Sequence, residues 1–276
     1  MSKTQTNFTG KLAVQQRVLP SYRVPFFEEL ASLCEGGMSL FAGKPRLVEA
    51  IQTADALQGA RLVAAENRHL LNGPLYLCYQ PGITAWLQAE QPDALVVEAN
   101  SRYPSTPKAV RWMQARQRPV LGWGLGAPPI SGPLAGLRTL ARQRFLLSLD
   151  GVIAYSERGA EEYRSMGVPA RRVFVAHNAA VSRPNSPPER RPMGHAKPVV
   201  LFVGRLQARK RLDMLFSACA TLPAEQQPDL IIVGDGPARE AFETQAQAIY
   251  PTAQFVGAKH DADLAPYFAM ADLFVL

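Results

Sequence analysis

The sequence predicts an α/β protein made of two doubly wound domains, the second of them incomplete. Three observations carry that expectation. Short apolar runs alternate with segments of helical period along nearly the whole chain, the pattern of parallel strands joined by crossover helices. A break at 183–198, RPNSPPERRPMGHAKP, holds Pro at 184, 187, 188, 192 and 198 and suits neither helix nor sheet. After it the alternation restarts. The 276 residues fit about two domains at ~150 residues each. The expected boundaries are a first domain at 1–180, a linker at 181–198 and a second domain at 199–276.

In the first domain, strands are expected at Leu12–Leu19, Met38–Ala42, Arg61–Ala65, Leu75–Cys78, Ala94–Glu98, Pro119–Trp123, Gly151–Tyr155 and Arg172–Ala176. Tyr22–Cys34 carries Val24, Phe27, Leu30, Ala31 and Cys34 on one stripe and stops at Gly36-Gly37, as a helix does. Ser105 and Pro107 read as cap and early-turn proline of a helix at Lys108–Gln117. Further helices are expected over Pro133–Leu149 and from Ser156 to near Gly167. The second domain reads strand Val199–Val203, helix Leu212–Thr221, strand Asp229–Val233, helix Ala238–Ile249, strand Gln254–Val256, helix Ala262–Met270, strand Asp272–Leu276. Four strands ending on a buried-type run, with no closing helix, are the reason for expecting an incomplete domain.

Composition narrows the function. Hydrophobic residues make up 47% and charged residues 19%, an ordinary globular mix. The net charge is +7, and residues 1–180 hold 20 basic against 13 acidic residues while 181–276 hold 10 of each. That asymmetry argues against a nucleic-acid coat. It leaves either an anionic membrane surface or acidic substrate at the first domain, or a diffuse charge that only keeps the chain in solution. Cys34, Cys78 and Cys219 have no zinc-ligand spacing and are odd in number, so reduced thiols in a reducing compartment are expected. His69, His177, His195 and His260 are scattered, and no metal site is expected. The opening MSKTQTNFTG has no apolar core, and no apolar run approaches the ~20 residues of a membrane span. The expected location is cytoplasmic, with any membrane contact peripheral and at the inner face.

The turns after strands carry the chemistry, because ligands of doubly wound sheets sit at the strands' carboxyl ends. Gly204 follows a strand directly, where a residue without a side chain lets a ligand approach the backbone. Arg205 and Lys210 flank the loop to the next helix, and two cations beside a helix amino end suit a diphosphate; the plain alternative is a solvated basic loop. Gly234, Gly236 and Pro237 form the next turn, Gly257 the third, and Asp261 or Asp263 is expected to cap the helix after it.

Three such turns in this order, together with Asp213 and the terminal YFAMADLFVL, closely resemble the donor-binding domain of the retaining family-four glycosyltransferases of GT-B fold. The resemblance implies two Rossmann-like domains. It implies that Gly204, Arg205 and Lys210 bind a nucleotide-sugar diphosphate, with Gly234, Gly236, Pro237 and Gly257 near the nucleotide. Arg211 stands where that family usually has glycine.

DGVIAYSERGAEEYRSMGVPARRVFVAHNAAV is similar to the end of the family's acceptor domain, which would set Asn178 at an interdomain cleft. RVLPSYRVPFFEEL offers Arg23 either as a contact to an acceptor or donor phosphate or as a surface arginine near a helix start. In VLGWGLGAPPISGP, Gly124 and Leu125 fall where related transferases often have Trp-Gly-His-Gly; Leu125 replaces the histidine. Pro128-Pro129 argues against reading these glycines as a dinucleotide fingerprint. Arg138, Arg142 and Arg144 lie on one helix among apolar residues, facing either anionic lipid or water.

The implied reaction moves a sugar from a nucleotide-diphosphate donor to a hydroxyl acceptor, lipid-linked or anionic, with retention and in polysaccharide or glycolipid synthesis. The donor is a co-substrate, so no cofactor is expected. The family's pair of glutamates separated by seven residues is absent from this chain, which is therefore expected to be inactive or crippled alone. A non-catalytic partner of the same fold and a sugar-nucleotide epimerase are the alternatives.

Overall fold

The computed structural model describes residues 7–49, 51–177, 197–259 and 263–276. The chain divides into two compact units, Met1–Ser182 and Arg183–Leu276. Of the expected linker only Lys197 and Pro198 are among the described residues, and Asn178 lies outside them.

The first unit holds a seven-stranded sheet ordered β3-β2-β1-β6-β7-β8-β9. Its strands are β1 (Leu12–Val18), β2 (Met38–Gly43), β3 (Arg61–Ala65), β6 (Ala94–Glu98), β7 (Val120–Gly124), β8 (Gly151–Ala154) and β9 (Val173–Val175), all paired in parallel. The strand period of two sends neighbours to opposite faces. Leu12 and Val14 join Phe27 and Ala31 of α1 (Val24–Ser32) in one apolar cluster. Ala13 joins the other, filled by α2 (Ile83–Glu90), α3 (Thr106–Gln114), α4 (Ala135–Leu147) and α5 (Glu157–Ser165) through Trp86, Met113, Phe145 and Tyr163. Both faces are therefore covered, which is why the strands read as nearly unbroken apolar runs.

Three expectations need correction. Leu75–Cys78 is no strand of the parallel sheet: Gly73–Leu75 is a 3-10 turn, and β5 (Leu77–Tyr79) pairs antiparallel with β4 (Arg68–Leu70). Helix α2 was not expected, although Ile83, Trp86 and Leu87 hold the i, i+3, i+4 spacing of a buried stripe. Ser105 holds the N-cap position of α3, but its Oγ makes no capping bond there and accepts the Gln80 N–H at 3.2 Å instead, while Ser156 caps α5 by accepting from the Gly159 N–H.

The second unit holds a four-stranded sheet ordered β12-β11-β10-β13. Its parallel strands are β10 (Val199–Val203), β11 (Asp229–Val233), β12 (Gln254–Gly257) and β13 (Leu273–Val275), with helices α6 (Leu212–Ala220), α7 (Arg239–Ile249) and α8 (Ala265–Met270). Phe202, Leu212, Phe216, Ile232 and Phe242 pack on one face; Leu201, Ile231 and Val233 pack on the other. β13 is an edge strand with Leu273 57% and Phe274 41% exposed, so it is not of buried type. Asp263 does not cap α8, whose cap residue is Leu264, and Asp261 lies outside the described residues.

Strand order reverses between β1 and β6 in the first unit and between β10 and β13 in the second. These are the switch points where such folds open a crevice at the carboxyl ends. In the first unit that end is lined by buried polar groups. Gln15 Nε2 donates to Gln80 Oε1 at 2.6 Å, Gln80 Nε2 donates to Asn67 Oδ1 at 2.9 Å, and Gln15 Oε1 accepts the Glu98 N–H at 3.2 Å. Arg17 Nη1 pairs with Glu49 Oε2 at 2.7 Å. Burial works against both charges of that pair, yet the hydrogen bond between them holds Arg17 above and Glu49 below the ordinary values. Glu98 keeps some exposure as a residue, but its carboxyl is enclosed and accepts from the Arg17 N–H at 2.5 Å and from Tyr103. Burial still pushes the Glu98 carboxyl up.

A carboxyl whose pKa rises on folding binds its proton more tightly in the folded state, so stability falls as pH climbs from the unfolded value of about 4.3 through the folded one. Glu98→Gln removes that loss. The stability of the variant relative to wild type, from urea unfolding, is expected to improve between acidic and neutral pH; a difference constant with pH would show that Glu98 titrates normally.

Candidate functional site

At the carboxyl end of the second sheet, the loops leaving β10, β11 and β12 are joined by main-chain hydrogen bonds. The Gly204 N–H donates to Val233 O at 2.9 Å, Gly234 to Gly257 O at 2.8 Å, Leu206 to Asp235 O at 2.9 Å and Ala238 to Leu206 O at 3.1 Å. Gly204, Gly234 and Gly257 are thus brought together around the ends of three strands.

This closeness dictates two of the glycines. Gly234 has φ +145°, and a Cβ there would overlap the carbonyl oxygen of Gly204. Gly236 has φ +157°, and its Cβ would overlap that of Leu206. Asp235 between them fixes the turn: Oδ1 accepts the Gly236 N–H at 2.7 Å and Oδ2 pairs with Arg239 at 3.1 Å. Pro237 follows exposed, and α7 begins at Arg239 with Ala238 at its cap position. Gly204 is different. A Cβ there would have the Phe202 ring as its nearest neighbour, at 3.3 Å, so no neighbouring backbone demands glycine at this position.

Arg205 leaves β10 at the switch point and is half-buried. A 3-10 turn over Ala208–Lys210 then carries the chain to α6, and Lys210 is also half-buried. Among the described ion pairs none uses Lys210. Arg211, where the resembled family has glycine, adopts the left-handed conformation at φ +52° and ψ +43°. That conformation costs a non-glycine residue about 1–2 kcal/mol. A grip on Asp213 in the first turn of α6 partly offsets it: Arg211 Nε and Nη2 lie 3.1 and 3.0 Å from its carboxylate oxygens, and this hydrogen bonding holds Asp213 below the ordinary carboxylate value. With Asp213 committed to Arg211, the positive end of α6 and the Lys210 ammonium lie on the same short loop as Arg205.

In the first unit, Arg23 and the end of β7 meet around Trp123. The Arg23 guanidinium lies 4.5 Å from the Trp123 ring centre and within 6.0 Å of Phe26, Phe27 and Tyr155, and Nη1 donates to Gln16 Oε1 at 3.4 Å. It is a buried cation in an aromatic box rather than a surface arginine. Gly124 leaves β7 beneath the Tyr163 hydroxyl, which a Cβ would meet at 2.8 Å. That hydroxyl, pushed up to about 12 by burial, accepts the Gly126 N–H at 3.2 Å and fixes the loop. Leu125 between them projects outward, 76% exposed. Sequence reasoning passed over Glu98 and the buried glutamines; the only signal was the polar QQR inside the strand LAVQQRV. Among the described residues no three His, Cys, Asp or Glu side chains gather as a metal site.

Alanine at the three glycines separates packing from ligand approach. Gly234→Ala and Gly236→Ala are expected to lose at least about 2 kcal/mol in urea unfolding, since each combines a strained φ with a backbone clash. Gly204→Ala is expected to lose less than about 1 kcal/mol. Equal losses at all three would show that Gly204 is also a packing requirement.

Comparison with known proteins agrees with this architecture. Residues 38–179 match the glycosyl transferase 4-like domain, and residues 197–276 match the glycosyl transferases group 1 domain. A GDP-mannose-dependent alpha-mannosyltransferase of Mycobacterium tuberculosis is 37% identical over 131 residues, 46% of this chain and 32% of that protein. The chain thus spans about a third of that relative's length. The crystal structure of Anabaena Alr3699/HepE in complex with UDP superposes with a TM-score of 0.65 at 16% identity, covering 96% of this chain and 72% of that one. The lipopolysaccharide outer core galactosyltransferase WaaB in its apo form gives 0.59 at 18%, covering 94% and 70%. With one domain model spanning half of the chain and the second following it in order, the chain belongs to the glycosyl transferases of the 4-like and group 1 type, with two Rossmann-like domains of GT-B fold.

Proposed function

We propose that this chain serves a transferase that moves a sugar from a nucleotide-diphosphate donor to a hydroxyl acceptor with retention at the anomeric carbon. The observation that carries the reading is the loop Gly204–Lys210 at the switch point of the second sheet, with no backbone pressed against Gly204 and two cations on one short turn. In this reading Arg205 and Lys210 hold the diphosphate, Gly204 admits it to the backbone, and Gly234, Gly236, Pro237 and Gly257 border the nucleotide. Departure of the diphosphate develops negative charge, and cations already fixed in place stabilise it as it forms. The reading needs no cofactor, because the donor is a co-substrate, and no metal where Arg205 and Lys210 offset the charge of the diphosphate. The mannosyltransferase relative makes GDP-mannose the first donor to test, with UDP-sugars next because UDP is named in the HepE structure.

The basic first unit favours an acceptor that is anionic or lipid-linked, met in the cytoplasm by a protein in peripheral contact with the inner face of the membrane. No described helix is long and apolar enough to cross a membrane. A non-catalytic partner of the same fold is the second reading, favoured by the exposed Leu125 where related transferases often have histidine. Donor binding without transfer in the intact protein would mark it.

Thermal unfolding with added nucleotide-sugar tests the site. At a hundredfold excess over Kd, ligand binding stabilises by about 2.7 kcal/mol. Each lost charge-assisted contact removes about 1.5–3 kcal/mol of binding, so Arg205→Ala or Lys210→Ala is expected to weaken binding by about tenfold or more and to cut the stabilisation to about half or less at the same donor concentration. Wild-type shifts by none of the GDP-, UDP- and ADP-sugars, or shifts undiminished in both variants, would contradict the reading.

A further inference from the structure

From Ala99 to Leu149 the sequence contains eight Lys and Arg and no Asp or Glu, more positive charge than the +7 of the whole chain. The fold gathers most of it on two neighbouring helices that cover the same face of the sheet, with Gln114 at the end of α3 donating to Ser148 O just past α4 at 2.7 Å. Lys108 and Arg111 on α3 and Arg144 on α4 are exposed, as is Arg116 just past α3. Arg138 and Arg142 on α4 donate only to main-chain oxygens of Ser131, Pro133 and Pro128. None of these six cations enters a described ion pair, and of the six only Arg142 has a carboxylate, Glu162 of α5, described in its electrostatic surroundings.

The same face is apolar where it should not be. Helix α4 touches the core only through its last turns, at Phe145 and Leu146. Its first two turns leave Leu137 64% and Leu140 40% exposed, and Leu134 at the cap position is 60% exposed. Leu137, Leu140, Arg144 and Leu147 follow one another at i, i+3, i+7 and i+10, a single stripe of mixed leucine and arginine. Such a stripe alone would only mark an unpartnered face. Charge decides what covers it. A second copy would set cations against cations, and a nucleic acid would leave the leucines in water.

We propose that the outer face of α3 and α4 docks on an anionic phospholipid bilayer. Leu134, Leu137 and Leu140 enter the boundary between headgroups and acyl chains, and the cations of both helices lie over the headgroup phosphates. This names the surface for the peripheral contact in the reading above and does not depend on the transfer chemistry.

Co-sedimentation with phosphatidylcholine vesicles, with and without phosphatidylglycerol, tests it. The chain is expected to bind only the anionic vesicles, and less at high salt. The exposed pair Leu137→Ser/Leu140→Ser is expected to weaken binding at least tenfold at low salt with unchanged thermal unfolding. The triple Lys108→Gln/Arg111→Gln/Arg144→Gln is expected to weaken it and flatten its salt dependence. No binding, equal binding to neutral vesicles, binding indifferent to both variants, or a dimer broken by the leucine variant without vesicle binding would each overturn the proposal. Nucleotide-sugar stabilisation measured on the same preparations keeps the questions apart: retained without vesicle binding, it leaves the donor site standing and this surface refuted.

Discussion

The loops that leave β10 and β11 pack main chain against main chain. Gly234 lies so close to the carbonyl of Gly204 that no side chain fits between them, and the Leu206 and Ala238 bonds extend the contact along both turns. Because hydrogen bonds lock these loops to each other, the Arg205–Lys210 segment starts from a fixed point at the switch position of the sheet. Fixed cations are worth more to a developing anion than mobile ones, since no reorganisation is needed when the charge appears. The strain at Arg211 belongs to the same arrangement: the chain must enter α6 in a left-handed turn, and here an arginine sustains it by holding Asp213.

The first unit solves a different problem at its own switch point. There the strand ends are polar and buried, and Gln15, Gln80 and Asn67 satisfy one another in a chain. Such a network is costly if any member is unpaired and rigid when all are paired. Arg23 extends it toward Trp123, so the β7 loop that carries Gly124 and Leu125 is joined to the β1 end through one buried cation. Leu125 is the exposed tip of an otherwise immobilised turn.

The alternation of apolar runs was enough to place nearly every strand of both sheets, because parallel strands covered on both faces leave an unambiguous signal. It failed where elements are too short or too mixed to have a period. β4 and β5 are three residues each, and α2 is eight residues whose stripe of Ile83, Trp86 and Leu87 spans little more than one helical turn. The turns at Gly234, Gly236 and Gly257 were legible because a positive φ or a close backbone requires glycine there, whereas Gly204 was legible only by its place directly after a strand. Glu98 and its glutamine partners were not, because adjacent polar residues in a strand look like solvent contacts until the neighbouring strands are in place. Ser105 was legible in position but not in bonding: it stands at the start of α3, yet its hydroxyl is taken by the Gln80 N–H of another segment.

The central claim is that the linked strand-end loops of the second unit hold the donor diphosphate. Amide hydrogen exchange with and without saturating GDP-mannose or a UDP-sugar tests it most directly. The account expects donor-dependent protection at the amides of 204–211 and 234–236, with little change along α7 away from its first turn. Saturating donor binding that leaves those two loops unprotected would contradict it.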